Sequence, residues 1–485
     1  MGLIFVPYYI HFLGIEAYGL IGIFALLQAW LSLLDMGMTP TLSREMARFT
    51  AGAHDTQSIQ NLLRTIEIIT YSLAIVIGGC IWLSSDFLAS NWLKAENLPK
   101  SVVVNSISIM AFVIALRFCE TIYRGSLLGL EKQVWYNTVN ALLSTLRGAG
   151  VLIILKWVSP TINAFFIWQG VISIISIVVL AFSVHSVLPK APRRPRFSRN
   201  SLSSIWKFAS GMLGISLLAM LLTQVDKALL SNLLPLKDFG YYTLATTVAG
   251  MMGMIVGPIT MAIYPRMVVL ATNQDNESLI HTYHNGAQLV TVLTAPMMLL
   301  LLFYSDGAIF AWSGNFELAI KSGQFLSILI IGNFLNGLMY MPYQCQLAHG
   351  WTSLTLKVNV VAVLVLVPAI FFCVPHFGAI SAAWIWAALN AGYALFAIQL
   401  MHMRLLKSEK LKWYFYDLFL PTLGAFSVVA ISRLFLPLPA SGRLHWFIFL
   451  TITGSITVLA TTLSANLIRP RFLHSFSVIF RTFTR

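Results

Sequence analysis

Three basic side chains of this 485-residue sequence lie inside long apolar stretches, where a charge is costly. They are Arg117, Arg147 and Lys227. A charged side chain near the centre of a bilayer costs about 2.5–3.5 kcal/mol on insertion scales, so it usually faces a wet cavity or a partner of opposite charge. The chemistry that these residues suggest is the binding of an anion, and we take them as the first candidates for a functional site.

Arg147 is the strongest of the three candidates. It lies about twelve residues into its predicted helix, roughly 18 Å along the axis, which places it near the midplane of a membrane. Asn137, Asn140, Ser144 and Arg147 follow spacings of three and four, so they form one polar stripe. The stripe predicts the wall of a wet cavity. The alternative is a buried arginine that helix carbonyls or a structural carboxylate satisfy.

The preceding predicted helix carries a second stripe, made of Arg117, Glu120 and Arg124. Arg117 and Glu120 are three residues apart and can pair with each other. The functional interpretation is a cationic cavity wall with Glu120 as an ion-pair partner or proton site. The alternative is an internal ion pair that only permits insertion, with Arg124 extending its charge to the interface.

Two further polar positions, Asp226 and Asp35, complete the candidate set. Asp226 and Lys227 are adjacent, so they point about 100° apart on a helix and cannot both face one cavity centre. Asp226 can take a proton or pair with a basic residue, while both residues also lie where extension to the interface is cheap. Asp35 lies seven residues after Gln28 near a predicted interface, where capping is as good an explanation as function.

The elements that must position these residues are membrane-spanning helices. The sequence is 58% apolar and only 10% charged, with a mean hydropathy of +0.80; a soluble domain is about half apolar and a quarter charged. We predict an all-α polytopic membrane protein with about fourteen helices of roughly 20 residues each. The segments are 1–13, 17–40, 64–85, 103–128, 135–156, 161–188, 205–234, 239–265, 284–304, 323–348, 354–374, 378–401, 414–436 and 444–468.

The basic residues concentrate in every second connection between these segments. Five of them, Lys190, Arg193, Arg194, Arg196 and Arg199, lie in one connection. This bias is typical of the cytoplasmic loops of an inner-membrane protein, and it places both termini in the cytoplasm. It also accounts for the net charge of +14 without nucleic acid, because such loops meet anionic membrane lipids.

The two halves of the sequence resemble each other at a shift of about 220 residues. Tyr18-Gly19 matches Phe239-Gly240, and the exit of the fourth segment through Gly129 matches that of the tenth through Gly350. We therefore predict parallel repeats about an axis along the membrane normal. The predicted domains are a six-helix bundle at 1–188 with a shortened first helix, a basic cytoplasmic linker at 189–204, a second six-helix bundle at 205–405, and two extra helices with a basic tail at 406–485.

Other kinds of site have little support in the sequence. Cys80, Cys119, Cys345 and Cys373 are scattered through apolar segments, which is typical of small core residues rather than of disulfides or a metal site. We expect no metal, no cofactor and no enzymatic activity. Gly125-x-x-x-Gly129 and Gly253-x-x-x-Gly257 predict close helix contacts.

Three short stretches give the sequence a family resemblance. They run from Tyr18 through Asp35 to Arg48, from Leu116 through Gly129 to Val134, and from Thr223-Gln224 through Asp226-Lys227 to Tyr242. In these stretches the chain resembles the polysaccharide flippases, the Wzx-like translocases of O-antigen and capsule repeat units. The predicted helix pattern of the chain extends this resemblance over nearly its whole length.

The resemblance implies the fold of the multidrug/oligosaccharidyl-lipid/polysaccharide (MOP) exporters, which includes the MATE transporters and the lipid II flippases. It implies alternating access through a cationic central cavity and a substrate of undecaprenyl-diphosphate-linked oligosaccharide, moved to the periplasmic leaflet. A polysaccharide polymerase of the same pathway is the expected protein partner. The expected substrate contacts are Arg147, Arg117, Lys227, Asn140 and Ser144.

Two rival functions stay open. A MATE-type cation-coupled antiporter of small molecules would favour buried carboxylates, whereas the charge here is mainly basic. A membrane-embedded polymerase or ligase would carry catalytic residues on a large outer loop, and the longest outer connection, around 86–102, is short.

Overall fold

The structure is a computed structural model that describes residues 2–34, 38–50, 52, 55–198, 217, 220–351, 353–439 and 442–474. These residues form helices joined by short connections, apart from an isolated bridge between Lys94 and Pro235. The predicted all-α class is confirmed. The chain folds as two compact units, Met1–Gly240 and Tyr241–Arg485.

The first unit is built from long helices with a few short turns between them. Its helices are Gly2–Leu13, Ile15–Leu34, Met38–Thr50, Thr56–Leu83, Ser85–Phe87, the π-helical turn Leu88–Trp92, Lys100–Gly129, Gln133–Trp157, Ile162–Val187 and residues 220–233. The helix Leu236–Ala249 continues from the first unit into the second.

The second unit contains more interruptions. Its helices are Met251–Thr272, Asn276–Phe303, Ser305–Ser313, Phe316–Leu338, Tyr340–Ala348, Ser353–Phe377, Ile380–Gly392, Ile398–Arg404, Lys410–Lys412, Leu420–Phe435 and Arg443–Ser464, with π-helical stretches at Tyr393–Ala397 and Trp413–Phe419.

Eleven helices of the described residues are long and apolar enough to cross a membrane. They agree with eleven predicted segments to within a few residues, apart from the earlier starts of three helices and the later end of a fourth, Leu236–Thr272. Two further apolar helices, Ile4–Leu13 and Ile15–Leu31, are shorter, and the predicted segment 205–234 lies partly outside the described residues. The count of fourteen is therefore not confirmed, and the six-helix bundles and their boundaries remain predictions.

Two pairs of helices have equal lengths and a common offset. Thr56–Leu83 and Asn276–Phe303 both have 28 residues and start 220 positions apart. Gln133–Trp157 and Ser353–Phe377 both have 25 residues and start at the same offset. These pairs support the internal repeat, while superposition of the two halves remains a prediction.

Glycine contacts explain one of the two predicted close approaches. A Cβ atom added to Gly125 would lie 2.8 Å from the carbonyl oxygen of Thr39, and one added to Gly129 would meet the backbone of Ser43. The helix Met38–Thr50 can therefore pack closely only because both positions lack a side chain. A Cβ atom at Gly253 or Gly257 meets nothing within 4 Å among the described residues, so this motif makes no such contact there.

A second glycine pair makes a reciprocal contact. A Cβ atom added to Gly19 would lie 2.6 Å from the carbonyl oxygen of Leu236, and one added to Gly240 would meet the carbonyl oxygen of Ile15. Ile15 and Gly19 correspond to Leu236 and Gly240 at one offset of 221 residues. Each of the helices Ile15–Leu34 and Leu236–Ala249 thus has a glycine that admits a backbone carbonyl oxygen of the other helix.

Candidate functional site

The first unit brings two of the predicted basic residues together with Glu120. Arg147, on helix Gln133–Trp157, donates from Nη2 to Oε1 of Glu120 on helix Lys100–Gly129, at 2.7 Å. Their side chains are only 17% and 16% exposed. Ser176 also hydrogen-bonds the Glu120 carboxylate, so three helices fix this ion pair.

Arg117 is held beside this ion pair by a different set of contacts. It donates from Nη2 to Oε1 of Gln169 at 2.6 Å, and its guanidinium carbon lies 5.0 Å from the ring centroid of Phe24. A cation over an aromatic face is attracted by the ring quadrupole. We name Arg117, Glu120 and Arg147 the arginine cluster.

The pairing within the arginine cluster corrects one expectation. Spacing within a helix suggested that Glu120 pairs with Arg117, but the salt bridge joins Glu120 to Arg147 on the neighbouring helix. The packing of the two helices determines which arginine pairs with Glu120, and the residue spacing within one helix cannot predict it. Glu120 is therefore the carboxylate partner that the alternative explanation for a buried Arg147 requires.

The arginine cluster keeps unfilled hydrogen-bonding capacity. In the part of the chain that the structure describes, the buried Nε atoms of Arg117 and Arg147 have no hydrogen-bond partner. Two guanidinium groups face one carboxylate, so the cluster has a net positive charge. Buried polar groups are normally satisfied, and a bound anion would satisfy these two.

The other residues of the Arg147 stripe lie on the predicted helix. Asn137 and Asn140 are exposed, whereas Ser144 and Arg147 are half-buried. Exposure thus falls along the stripe towards the arginine cluster. This gradient agrees with a polar wall that leads inward.

Lys227 and Asp226 lie on a separate helix, residues 220–233, and are half-buried. Lys227 donates from Nζ to the carbonyl oxygen of Thr223 and to Oε1 of Gln224, both at 3.3 Å. These bonds stay within its own helix, so they do not join Lys227 to the arginine cluster. Asp35 lies outside the described residues.

The polar face of helix Ile162–Val187 was missed from the sequence. Gln169, Ser173, Ser176 and Ser183 are all buried, and the first two of them together with Ser176 follow helical spacings of four and three. These residues carry no charge, so a prediction based on charged residues within apolar segments does not include them. Their spacing alone would have identified the face that contacts both Arg117 and Glu120.

Metal chemistry has no support among the described residues. Within them, no group of three or more His, Cys, Asp or Glu side chains is arranged to hold an ion. All four cysteines are free. The arginine cluster is suited to binding an anion, and it offers neither a nucleophile nor a pair of acid and base for catalysis.

The fold defines the class of protein. The lipid II flippase MurJ in its inward closed conformation is similar with a TM-score of 0.64 and 13% identity, covering 97% of this chain and 98% of that one. A multidrug resistance MATE family transporter of the MOP superfamily, inward-facing, is similar with a TM-score of 0.63 and 14% identity, covering 83% and 92%. At these identities the likeness establishes the fold, which is that of a multi-pass membrane protein.

The chain belongs to the polysaccharide biosynthesis protein family, whose family model matches residues 1–271. A putative O-antigen transporter of Shigella flexneri is 23% identical over 384 residues, which cover 77% of this chain and 87% of the relative. The predicted membership among Wzx-like polysaccharide flippases is confirmed. The named relatives are transporters and flippases, and the prediction that the chain is not an enzyme agrees with them.

Proposed function

We propose that the protein moves polyprenyl-diphosphate-linked oligosaccharide repeat units from the cytoplasmic to the periplasmic leaflet of the bacterial inner membrane. The undecaprenyl-diphosphate carrier and the O-antigen, capsule or exopolysaccharide repeat unit are part of this proposal. The proposal includes cytoplasmic termini, which the distribution of basic residues supports. The product leaflet would then present the repeat unit to a polysaccharide polymerase, the expected protein partner.

The physical need for a protein is clear from the substrate. An isolated charge in hydrocarbon is prohibitively costly, and a diphosphate carries more than one negative charge. The prenyl tail can stay in the bilayer while the head group crosses. The transporter must therefore give the diphosphate a positively charged and hydrogen-bonding path.

The single observation that carries the proposal is the unfilled capacity of the arginine cluster. Arg117 and Arg147 each have a buried Nε without a partner among the described residues, and Glu120 neutralises only one of the two guanidinium groups. Guanidinium groups match phosphate oxygens through paired, charge-assisted hydrogen bonds. Alternating access would bring the head group to this cluster and release it on the other side.

The second candidate function is a MATE-type cation-coupled antiporter of small molecules. The fold similarity to a MATE transporter favours it. The charge of the arginine cluster opposes it, because a cationic drug would be repelled by two guanidinium groups of which Glu120 neutralises only one. The two functions therefore differ in what the loss of the Arg147 guanidinium should do to the export of an anionic head group.

The test uses a neutral pair in place of the charged pair. Arg147→Ala alone leaves Glu120 buried without its partner, so folding can fail. The double variant Arg147→Gln with Glu120→Gln removes the guanidinium of Arg147 together with its carboxylate partner, so the net charge of the arginine cluster is unchanged and the phosphate-binding donors of Arg147 are lost. In a flippase-deficient host at matched membrane expression, we expect surface polysaccharide to fall at least tenfold, because charge-assisted hydrogen bonds contribute about 1.5–3 kcal/mol each.

Arg147→Lys should keep part of the activity, since it retains charge but loses the paired hydrogen bonds. Arg124→Gln, an exposed position on the same helix as Glu120, is the matched control and should export normally. Normal surface polysaccharide with the double variant would show that the arginine cluster is structural. Lost export of a cationic dye, with polysaccharide unchanged, would favour the antiporter.

A further inference from the structure

A basic segment after helix Ile162–Val187 is fastened along another helix of the first unit. This segment, residues 188–198, is here named the strap. Its backbone N–H groups donate to side chains spaced four residues apart on the first turns of helix Thr56–Leu83, which therefore share one face. The three bonds are Arg193 N to Gln57 Oε1 at 3.0 Å, Arg196 N to Asn61 Oδ1 at 3.0 Å, and Ser198 N to Thr65 Oγ1 at 2.9 Å.

A cavity of about 580 Å³ lies between the strap and the helix ends that it crosses. Four of its lining side chains have a fixed positive charge, and one histidine is present. They are Arg64, Lys190, Arg193, Arg194 and His185. We name this cavity the strap pocket. Its volume is in the range that ligand sites of small molecules occupy.

The only carboxylate in the described lining of the strap pocket is already used. Glu67 is buried; it accepts from Arg64 at 3.1 Å and from the hydroxyl of Tyr123 at 3.0 Å. His185 Nε2 also lies 3.6 Å from it. One negative charge therefore faces four positive charges, and the strap pocket has a net positive charge.

The strap pocket lies at the depth of lipid phosphates. Helices Thr56–Leu83 and Ile162–Val187 have 28 and 26 residues, about 40 Å at 1.5 Å per residue, which is close to the thickness of a bilayer with its head groups. Arg64 lies within the first three turns of one helix, and His185 lies two residues before the end of the other. The ends of such helices reach the head-group region.

A role in topology does not explain this arrangement. The positive-inside bias requires basic residues in a loop, but it requires neither a hydrogen-bond ladder that fixes the backbone nor a cavity beneath it. We propose that the strap pocket binds the phosphate group of an anionic lipid head group. Arginine and lysine side chains are the residues that bind phosphate oxygens. The proposal concerns binding and does not depend on the proposed transport.

The first experiment measures lipid binding by native mass spectrometry of the full chain in detergent. The variant Lys190→Gln with Arg193→Gln and Arg194→Gln removes three charges from the strap pocket. The control Lys407→Gln with Arg469→Gln and Arg471→Gln removes three exposed charges elsewhere. With phosphatidylglycerol and with undecaprenyl diphosphate as probes, we expect at least about tenfold weaker binding to the strap variant, because each basic residue near an anionic surface contributes about fivefold.

The control variant should bind both probes within about twofold of the unchanged protein. Equal losses in both triple variants would mean that only overall charge matters, and no loss in the strap variant would also overturn the proposal. Asn61→Ala removes one rung of the ladder without changing charge. It should weaken binding several-fold, and unchanged binding would show that the pocket is not a built site.

The choice of probe distinguishes two sources of the phosphate group. In one outcome, undecaprenyl diphosphate binds more tightly than phosphatidylglycerol and is displaced by inorganic pyrophosphate. This result would identify the strap pocket as a first contact for the transported lipid. If instead phosphatidylglycerol binds, phosphatidylcholine does not, and pyrophosphate does not compete, the ligand of the strap pocket is a bilayer lipid. Failure of both anionic lipids to bind would refute the proposal.

Discussion

Two helices at equivalent positions of the predicted repeat are hydrogen-bonded to later segments of the chain in different ways. Thr56–Leu83 and Asn276–Phe303 have equal length, and each begins with an aspartate cap, Asp55 or Asp275, that accepts from a serine N–H three residues later. On the first helix the strap is fastened by neutral side chains that accept from its backbone. On the second helix, buried carboxylates of a later segment contact a histidine of the helix.

The second fastening is a closed polar network within the second unit, here named the carboxylate joint. His284 contacts Asp417 through Nδ1 and Glu409 Oε2 through Nε2, the latter at 3.1 Å. Gln288 donates to Asp417 Oδ1 at 3.0 Å and accepts from the backbone N–H of Leu467 at 3.0 Å. The carboxylate joint thus ties both C-terminal membrane helices to helix Asn276–Phe303.

The difference teaches where a ligand is to be expected. In the carboxylate joint the basic side chain meets acidic partners from the chain itself, and both ring nitrogens of His284 are used. In the strap pocket four basic side chains face one carboxylate, and a cavity remains open. A network that is complete stabilises the fold, while one that is left positive and open can bind an anion.

The largest expected effect is on the carboxylate joint. Asp417→Ala removes one partner of His284 and one of Gln288, and breaking a buried charge pair destabilises by about 3–5 kcal/mol. We expect a clear fall in the thermal unfolding temperature of the purified protein in detergent. The control is Asp86→Ala, which removes a largely exposed salt bridge with Lys100 and should cost about 1 kcal/mol or less. Equal falls for both variants would contradict the comparison.

A smaller effect is expected at the strap. Thr65→Val removes the acceptor of the Ser198 N–H, and the net value of one hydrogen bond is about 1 kcal/mol. Amide exchange at Arg196 and Ser198 should therefore become about fivefold faster, while global unfolding changes little. Thr272→Val removes an exposed hydroxyl that bonds only its own helix and should leave strap exchange unchanged. Unchanged exchange in Thr65→Val would mean that the ladder does not hold the strap.

The smallest effect is a pH dependence at Glu409. Burial raises the pKa of this carboxyl, but hydrogen bonds from Lys412 and His284 outweigh it, and its pKa lies below the ordinary value of 4.5. The stabilising contribution is therefore present above about pH 4.5 and lost as the pH falls through the lower folded pKa.

We expect the unfolding temperatures of the unchanged protein and Glu409→Gln to differ by a constant amount near neutral pH. Below about pH 4.5 the two should converge, because the protonated carboxyl then resembles the amide. A difference that is independent of pH down to pH 3 would show that Glu409 contributes through packing rather than charge.

Hydropathy and charge predicted most of the fold. Long apolar runs gave eleven spans because spanning helices need about 20 apolar residues whatever their neighbours. The interruptions were not predicted, among them the π-helical stretches at Tyr393–Ala397 and Trp413–Phe419, because hydropathy does not distinguish a π-helical from an α-helical hydrogen-bond pattern. The predicted membrane-spanning helix at residues 205–234 remains a prediction.

The candidate site was predicted in its residues but not in its pairing. Arg117, Glu120 and Arg147 are costly in a membrane, so composition alone singled them out. The bridge from Glu120 to Arg147 and the contact from Arg117 to Gln169 join different helices, and helix packing decides them. The carboxylate joint was missed for the same reason, since His284 and Asp417 are 133 residues apart.

The reciprocal contact of Gly19 and Gly240 also bears on the history of the chain. Each glycine admits the backbone of the other helix at a matching position. A half-length ancestor with one such glycine would have made both contacts at once by pairing with a second copy of itself. After duplication and fusion, each glycine would be kept separately, because a side chain at either position would collide with the backbone of the other helix.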